Sequence, residues 1–404
     1  MAFPVENHAK PVGHRFDHEW VDPIPYIPDR QGAACENLPE DAVAPGLMLC
    51  SETLMRDFSD SGRFRNVQIG LWQPFGEGDS PMLHITNGDS AGGTIEVAKL
   101  GGTVLSWQDV LHEGPVPAGL SLDQLRGIRA AFIADQGWGS YERVLSIMAH
   151  RDEALLGASE QDEVNLWFEH DLFDQLQLIQ ILSVMPEDAI HQTAIIQPER
   201  TEYLGRLSPA ALRGLYKQRQ LVSGAQLVIA RRAWEAFRSP DPAAILAFLR
   251  EDTAALPSVA LALTRHGQQF PSLENGLNRT ERQILEALRS QPLMMKTLYV
   301  ESHEKREELV FMGDAVFVTY VQRLGNMETP LIAIEPGSGS AAKAEEGFWK
   351  STVRITKAGR AVLKGEEDMV RLNGIDRWLG GVYLTGKEVM WRWDENYKTL
   401  RTRG

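Results

Sequence analysis

The stretch that decides the fold is residues 83–107, LHITNGDSAGGTIEVAKLGGTVLSW. LHIT is a short apolar run that is typical of a strand, and the glycine-rich loop after it leads into a short helix predicted at Thr94 to Leu100. The final TVLSW has the composition of a second strand. This order of strand, helix and strand predicts a βαβ unit and therefore an α/β protein.

The same alternation continues toward the C-terminus. A helix is predicted over residues 120–136, with Ser121 as its N-cap. The next strand is EVNLWFEH (163–170), which runs into a largely buried helix at residues 171–185, and HQTAIIQP (191–198) supplies another strand. Strands joined by helices in this way predict a three-layer, mainly parallel, Rossmann-like sheet, in which functional groups gather beyond the carboxyl ends of the strands.

Four segments are predicted along the chain. They are an irregular N-terminal extension, an α/β domain, a helical connector and a winged-helix-like α+β module, at residues 1–80, 81–200, 201–272 and 273–404. The extension has no sustained period, so it is either a flexible arm or not part of the natural protein, with Met82 as the alternative start. In the C-terminal module, Asn278 is expected to cap a helix, with Glu281 at the capping-box position.

Three motifs follow one another in the α/β domain. They are HITNGDSAGGT, SWQDVLHEGPVPAGLS and LWFEHDLFDQLQLIQIL, at residues 84–94, 106–121 and 166–182. Together and in this order they closely resemble the bacterial family called domain of unknown function 1835, over residues 83 to about 200. Residues 354–384 also look like the C-terminal part of longer members. The resemblance implies an α/β N-terminal domain and brings no established activity.

Composition excludes several classes of protein. The formal net charge of −14 disfavours a phosphate-neutralising surface over the whole molecule, so nucleic acid is not a favoured partner. Cys35 and Cys50 are the only cysteines, which is too few for a disulfide framework or a Cys-rich zinc site. No apolar run reaches the roughly 20 residues that cross a bilayer, and the N-terminus lacks the apolar core of a secretory signal. We therefore expect a cytoplasmic protein without a membrane partner.

The first candidate site is the loop after LHIT. Asn87, Gly88, Asp89, Ser90 and Gly92 are small or polar residues between a strand and a helix, where backbone N–H groups are able to bind a phosphate or carboxylate. The loop matches neither the G-x-G-x-x-G motif nor the P-loop. The alternative is a tight turn in which Asp89 or Ser90 caps the helix.

The second candidate site follows the second strand. Trp107, Asp109, His112 and Glu113 lie within a few residues, and this density of polar groups on a loop suits a ligand site. His112 is a candidate general acid or base, with Asp109 or Glu113 orienting its ring. The alternative is that His112 and Glu113 only shape the turn that follows them.

The third candidate site is the end of EVNLWFEH. Glu169, His170 and Asp171 end an apolar strand abruptly, and burying such groups costs several kcal/mol unless a partner compensates. We assign them catalytic roles and Gln175 a ligand contact, whereas Asp174 is expected to serve the first turn of the next helix. No recognised metal-ligand spacing is present, so no metal site is assigned.

Two functions compete at this point. One is an enzyme that binds a small anionic or nucleotide-like ligand and catalyses hydrolysis or group transfer with His and carboxylate residues. The other is a ligand-sensing regulator whose winged-helix-like module contacts nucleic acid or a protein. The sequence names neither a substrate nor a cofactor, and it does not fix the oligomeric state.

Overall fold

The computed structural model describes residues 81–337 and 348–403, so the predicted N-terminal extension lies outside the described residues. The α-helices labelled α1 to α13 span, in order, Asp89–Val97, Leu122–Asp135, Tyr141–Leu156, Leu172–Val184, Pro209–Lys217, Gly224–Arg238, Ala243–Phe248, Pro257–Gly267, Arg279–Ala287, Met295–Tyr299, Asp314–Asn326, Lys357–Leu363 and Met369–Asn373. The strands labelled β1 to β13 span, in order, Met82–Thr86, Thr103–Ser106, Gly114–Pro115, Glu163–Trp167, Thr193–Ile196, Gln220–Leu221, Leu293–Met294, Ile332–Glu335, Thr352–Ile355, Ile375–Gly380, Val382–Gly386, Trp391–Asp394 and Thr399–Thr402.

A five-stranded sheet in the order β2-β1-β4-β5-β6 organises the N-terminal half. The first four strands in this order are parallel, and β6 joins the edge antiparallel. The prediction of an α/β protein with a mainly parallel sheet is therefore confirmed. From β1 the chain moves outward to β2 and then returns across β1 to β4, so the direction of winding reverses between β1 and β4. Such a reversal leaves a crevice at the carboxyl ends of the two strands.

Both faces of this sheet are covered, because neighbouring residues of a strand point to opposite sides. Leu83 and Ile85 belong to the large core that continues into the C-terminal half. On the other face, Trp167 and Ile196 pack with residues of α1 and α5 in a smaller cluster. The sheet is thus buried on both faces, and the candidate loops follow the ends of its strands.

Helix α1 begins at Asp89, five residues before the predicted start at Thr94. Its N-cap is Gly88, and no side chain caps it. The sequence was misleading because Gly92 and Gly93 lie within the helix, where glycine is usually disfavoured. Gly92 faces β2, and a Cβ atom there would lie 3.1 Å from Ser106 Oγ, so a larger residue would crowd the contact.

Other helix starts agree with the predictions. Ser121 caps α2 and forms a capping box with Gln124. Asn278 caps α9 and forms a capping box with Glu281. These two signals are local, so they hold whatever the surrounding tertiary structure is.

The C-terminal half packs closely on the α/β part. Strands β7, β9 and β8 form an antiparallel sheet, and β10 pairs with both β11 and β3 of the second candidate loop. The segment predicted as a helical connector also contributes strand β6. None of the helices in the described part of the chain is long and apolar enough to cross a membrane.

Candidate functional site

The first and third candidate loops meet at the crevice between β1 and β4. Thr86 and Trp167, the last residues of the two strands, are paired neighbours, so the loops that follow start side by side. Asn87 Nδ2 donates a hydrogen bond to Asp174 Oδ2 across the crevice, at 2.8 Å. Asn87 and Asp174 are 87 residues apart in sequence, yet their loops form one site.

Three carboxyl groups converge there, and we call Glu169, Asp171 and Asp174 the carboxyl triad. One oxygen of each lies within 4.8 Å of the others, and all three residues are buried. Asp171 Oδ1 caps α4 by accepting from the N–H of Asp174, and Asp174 Oδ1 accepts from the N–H of Glu169. Glu169 Oε1 accepts from the N–H of Leu204 at 2.6 Å. Backbone donors thus hold the triad in place.

The triad has no cationic counterpart among the described residues, since no hydrogen bond or ion pair within residues 81–337 and 348–403 brings Lys, Arg or His to it. Burial, followed by repulsion from Asp174 and Asp171, raises the pKa of Glu169 well above its usual value. Burial and repulsion from Asp174 raise the pKa of Asp171 as well. For Asp174, burial raises the pKa to about 7, although the Asn87 hydrogen bond opposes the shift. Such a group exchanges protons close to neutral pH.

The triad opens into a cleft that is built from both halves of the chain. Residues of the α/β part form one wall, and the end of α10 and the segment before α11 form the other. The lining residues are Asn87, Ser90, Ala91, Glu169, Asp171, Phe173, Asp174, Tyr203, Gly205, Arg206, Tyr299, Val310, Phe311, Met312 and Gly313. Carboxyl and amide groups therefore face a wall that is rich in aromatic and apolar side chains, a combination that is common in small-molecule sites.

The second wall is held by hydrogen bonds. The N–H of Val310 donates to Tyr203 Oη at 2.8 Å, and Tyr299 Oη donates to the carbonyl of Met312 at 2.8 Å. The N–H of Met312 donates to His303 Nε2 at 3.2 Å. Three anchors within three residues hold this segment in place.

The second candidate loop lies elsewhere and is held by arginines. Asp109 is fully buried, with Oδ1 3.0 Å from Arg129 Nε and Oδ2 3.3 Å from Arg151 Nη2. Arg151 also stacks over Trp107, whose Nε1 donates to the side-chain oxygen of Gln180. Asp109 and Trp107 therefore have structural partners and do not face the cleft.

His112 and Glu113 of the same loop are also absent from the residues that line the cleft. His112 is fully buried between the ring edges of Phe173 and Phe311, and neither ring nitrogen has a hydrogen-bond partner among the described residues. Burial lowers the pKa of His112 to about 3, so the ring is neutral. Glu113 accepts from the Tyr320 hydroxyl and lies 3.5 Å from Arg323 Nη1.

The remaining predicted residues divide between the site and its support. His170 lies between Ser258 Oγ at 2.8 Å and the carbonyl of Pro198 at 2.9 Å, so its ring is not part of the triad. Gln175 Nε2 donates to the carbonyl of Glu169 and supports the turn. Ser90 lines the cleft, whereas Gly88, Asp89 and Gly92 form the first turns of α1.

Sequence reasoning assigned Asp174 only to the first turn of a helix, whereas it is a member of the triad and Asp171 is the N-cap. It also missed two other parts of the site. Tyr203 and Leu204 follow β5, and the signal that was available is that β5 is a further parallel strand whose carboxyl end opens on the same edge. The segment Val310–Gly313 carries no local signal, because only tertiary packing places it over the triad. Comparison of the chain with protein-family models finds no match, and neither does comparison with curated proteins.

Proposed function

We propose that the cleft is the active site of an enzyme that binds a small, nucleotide-like ligand and catalyses hydrolysis or group transfer. The observation that carries the proposal is the carboxyl triad, which is buried, without a cationic partner among the described residues, and open to the cleft. Burying like charges together destabilises a fold, so such clusters are concentrated at functional sites.

The chemistry follows from the raised pKa values. Carboxyl groups that repel one another share protons, so the triad holds an ionised and a protonated group at the same pH. The ionised carboxylate accepts the proton of an attacking water or hydroxyl, and the protonated carboxyl donates its proton to the leaving group. Neither histidine from the prediction takes part, because His112 and His170 lie outside the triad.

The charge of the cleft limits how a ligand lies in it. Three carboxyl groups repel an anionic group, so the uncharged part of the ligand points inward. An anionic part lies at the mouth, where the exposed Arg206 lines the cleft. A divalent cation bound by the triad would change this orientation, since carboxylate oxygens are its preferred ligands. Turnover is therefore measured both with and without added Mg²⁺.

The fold of the α/β part supports a ligand site at this crevice. We propose a Rossmann-like arrangement for the α/β part, on the strand order and the reversal of winding between β1 and β4. We also propose membership of the domain of unknown function 1835 family and a cytoplasmic location, on the motifs and on the low cysteine content.

A regulatory function is the second candidate, and one observation favours it. The C-terminal order α9, β7, α10, α11, β8 and β9, with the sheet order β7-β9-β8, supports a winged-helix module. Because the segment before α11 also lines the cleft, a ligand would contact this module directly. This alternative is tested by measuring whether the protein binds DNA at low salt, both with and without a small molecule that remains bound after purification.

The enzyme is tested by native mass spectrometry and by turnover. Wild type should retain a small molecule or turn over a member of a panel of hydrolase and transferase substrates, and Glu169→Gln should lower the rate by about 100-fold or more, as expected for loss of a general acid or base. Glu96→Gln is the matched control, because Glu96 is an exposed residue of α1 and its charge lies outside the cleft. Equal turnover by both variants, with or without Mg²⁺, would contradict the proposal.

A further inference from the structure

Tyr203 has an unusual position in the cleft. It follows β5, lines the cleft together with the carboxyl triad, and precedes Leu204, whose N–H binds Glu169. Its hydroxyl oxygen accepts from the N–H of Val310 on the opposite wall. Tyr203 therefore touches both halves of the chain at the point where they enclose the site.

The hydrogen bonding of the Tyr203 hydroxyl is incomplete. A phenol has one donor and acceptor capacity on the same oxygen. Within the described residues its one hydrogen-bond partner is the Val310 N–H, which is itself a donor. The oxygen is thus occupied as an acceptor, while the hydroxyl proton has no protein acceptor in that part of the chain.

The charge around this hydroxyl keeps its proton in place. Burial and the nearby carboxyl groups, Asp171 first among them, raise the pKa of Tyr203 above its usual value near 10. Tyr203 is consequently a neutral donor at neutral pH. It differs in this from the triad, which offers mainly acceptor oxygens.

We propose that Tyr203 is the specificity-determining donor of the cleft and binds an uncharged acceptor, a carbonyl oxygen or ring nitrogen, on the ligand. This inference rests on the proposed function of the cleft and names the class of ligand that fits it. The ligand presents its acceptor to Tyr203 and a hydroxyl or amino donor to the triad. Its flat part lies along Phe173 and Tyr299, which line the same cleft.

Three ring compounds of similar size separate these contacts. Benzamide carries a carbonyl acceptor and an amide donor, aniline carries the donor alone, and benzoate carries negative charge. Binding of each is measured by ligand-observed NMR to wild type, Tyr203→Phe, Glu169→Gln and Tyr216→Phe. Tyr216 is the control, because its hydroxyl bonds to Glu163 outside the cleft.

We expect Tyr203→Phe to change the affinity for benzamide and not the affinity for aniline. Tyr203→Phe should weaken benzamide about five-fold, as for loss of one neutral hydrogen bond, and leave aniline unchanged. A purely structural role in holding Val310 would weaken both probes equally, and that outcome overturns the proposal. So does wild-type protein that binds no benzamide, or binds benzoate more tightly than benzamide.

Failure of this inference is distinguishable from failure of the proposed function. Glu169→Gln should weaken benzamide and aniline alike, because both place a donor against the triad. If Glu169→Gln weakens binding and Tyr203→Phe does not, the cleft remains the ligand site and the role of Tyr203 is wrong. If neither substitution changes binding, both proposals fall together.

Discussion

Two groups of buried carboxylates lie at strand ends of the same sheet, and their surroundings are opposite. Asp109 follows β2 and has an arginine on each oxygen. The carboxyl triad follows β4 and has no cation within the described residues, only backbone and amide donors. Both groups are similarly buried, so burial alone does not separate a structural acid from a functional one.

Charge compensation is what separates them. A buried ion is costly unless it is paired, and a paired one is costly to unpair. Asp109 has its partners within the fold, so removing its charge should damage the fold. The triad lacks such partners, so removing one of its charges should stabilise the fold. The predictions below test this contrast, beginning with the largest effect.

Asp109→Asn should destabilise the protein by about 3–5 kcal/mol, because it leaves buried Arg129 and Arg151 without their shared counter-charge. The measurement is urea unfolding of the full chain. Asp123→Asn is the control, since Asp123 pairs with Arg126 at an exposed position and should change stability by less than about 1 kcal/mol. Similar losses for both variants would remove the basis of the comparison.

Glu169→Gln should change stability in the opposite direction at alkaline pH, where it should stabilise the protein. A carboxyl whose pKa is raised in the folded state is bound to its proton more tightly there than in the unfolded chain. Its stabilising effect is complete below the unfolded pKa near 4 and is lost as pH rises through the folded values, about 7 for Asp174. The variant should be more stable than wild type above neutral pH, and the difference should shrink in acid.

Asp174→Asn is the matched control for that experiment. It removes the same charge, but both oxygens of Asp174 accept from N–H groups, those of Glu169 and the Asn87 amide. The new amide nitrogen would face a donor, so this variant should be less stable than Glu169→Gln. Urea midpoints at acid and alkaline pH measure both. A Glu169→Gln variant that is weaker than wild type throughout would show that the triad stabilises the fold.

Tyr320→Phe tests an intermediate case. Glu113 is buried and is satisfied by the Tyr320 hydroxyl and, more distantly, by Arg323. Loss of the hydroxyl should cost about 1.5–3 kcal/mol, the range for hydrogen bonds to charged groups. Arg323→Gln should cost less than about 1 kcal/mol, since Arg323 is partly exposed. Equal effects would mean that the ion pair stabilises Glu113 as much as the hydroxyl does.

The sequence predicted the strands and helix caps around the site better than the roles of the side chains in it. Apolar runs such as LHIT and EVNLW and the capping boxes at Ser121 and Asn278 are local signals, and these elements form where expected. The meeting of the Asn87 and Glu169 loops also follows from parallel strand order. The sequence places both Asp109 and Glu169 in candidate sites, because nothing local shows that Arg129 and Arg151 fold back onto Asp109.

His170 gives the smallest and most selective test of the contrast. It stands between Glu169 and Asp171 in sequence, yet its ring bonds to Ser258 and the Pro198 carbonyl while its neighbours enter the triad. Neighbouring residues of extended chain point to opposite sides, which explains the separation. His170→Asn should therefore cost about 1 kcal/mol in urea unfolding, as for a partly exposed hydrogen-bonded ring. Turnover and benzamide binding should match wild type, and a loss of either comparable to that of Glu169→Gln would place His170 in the site after all.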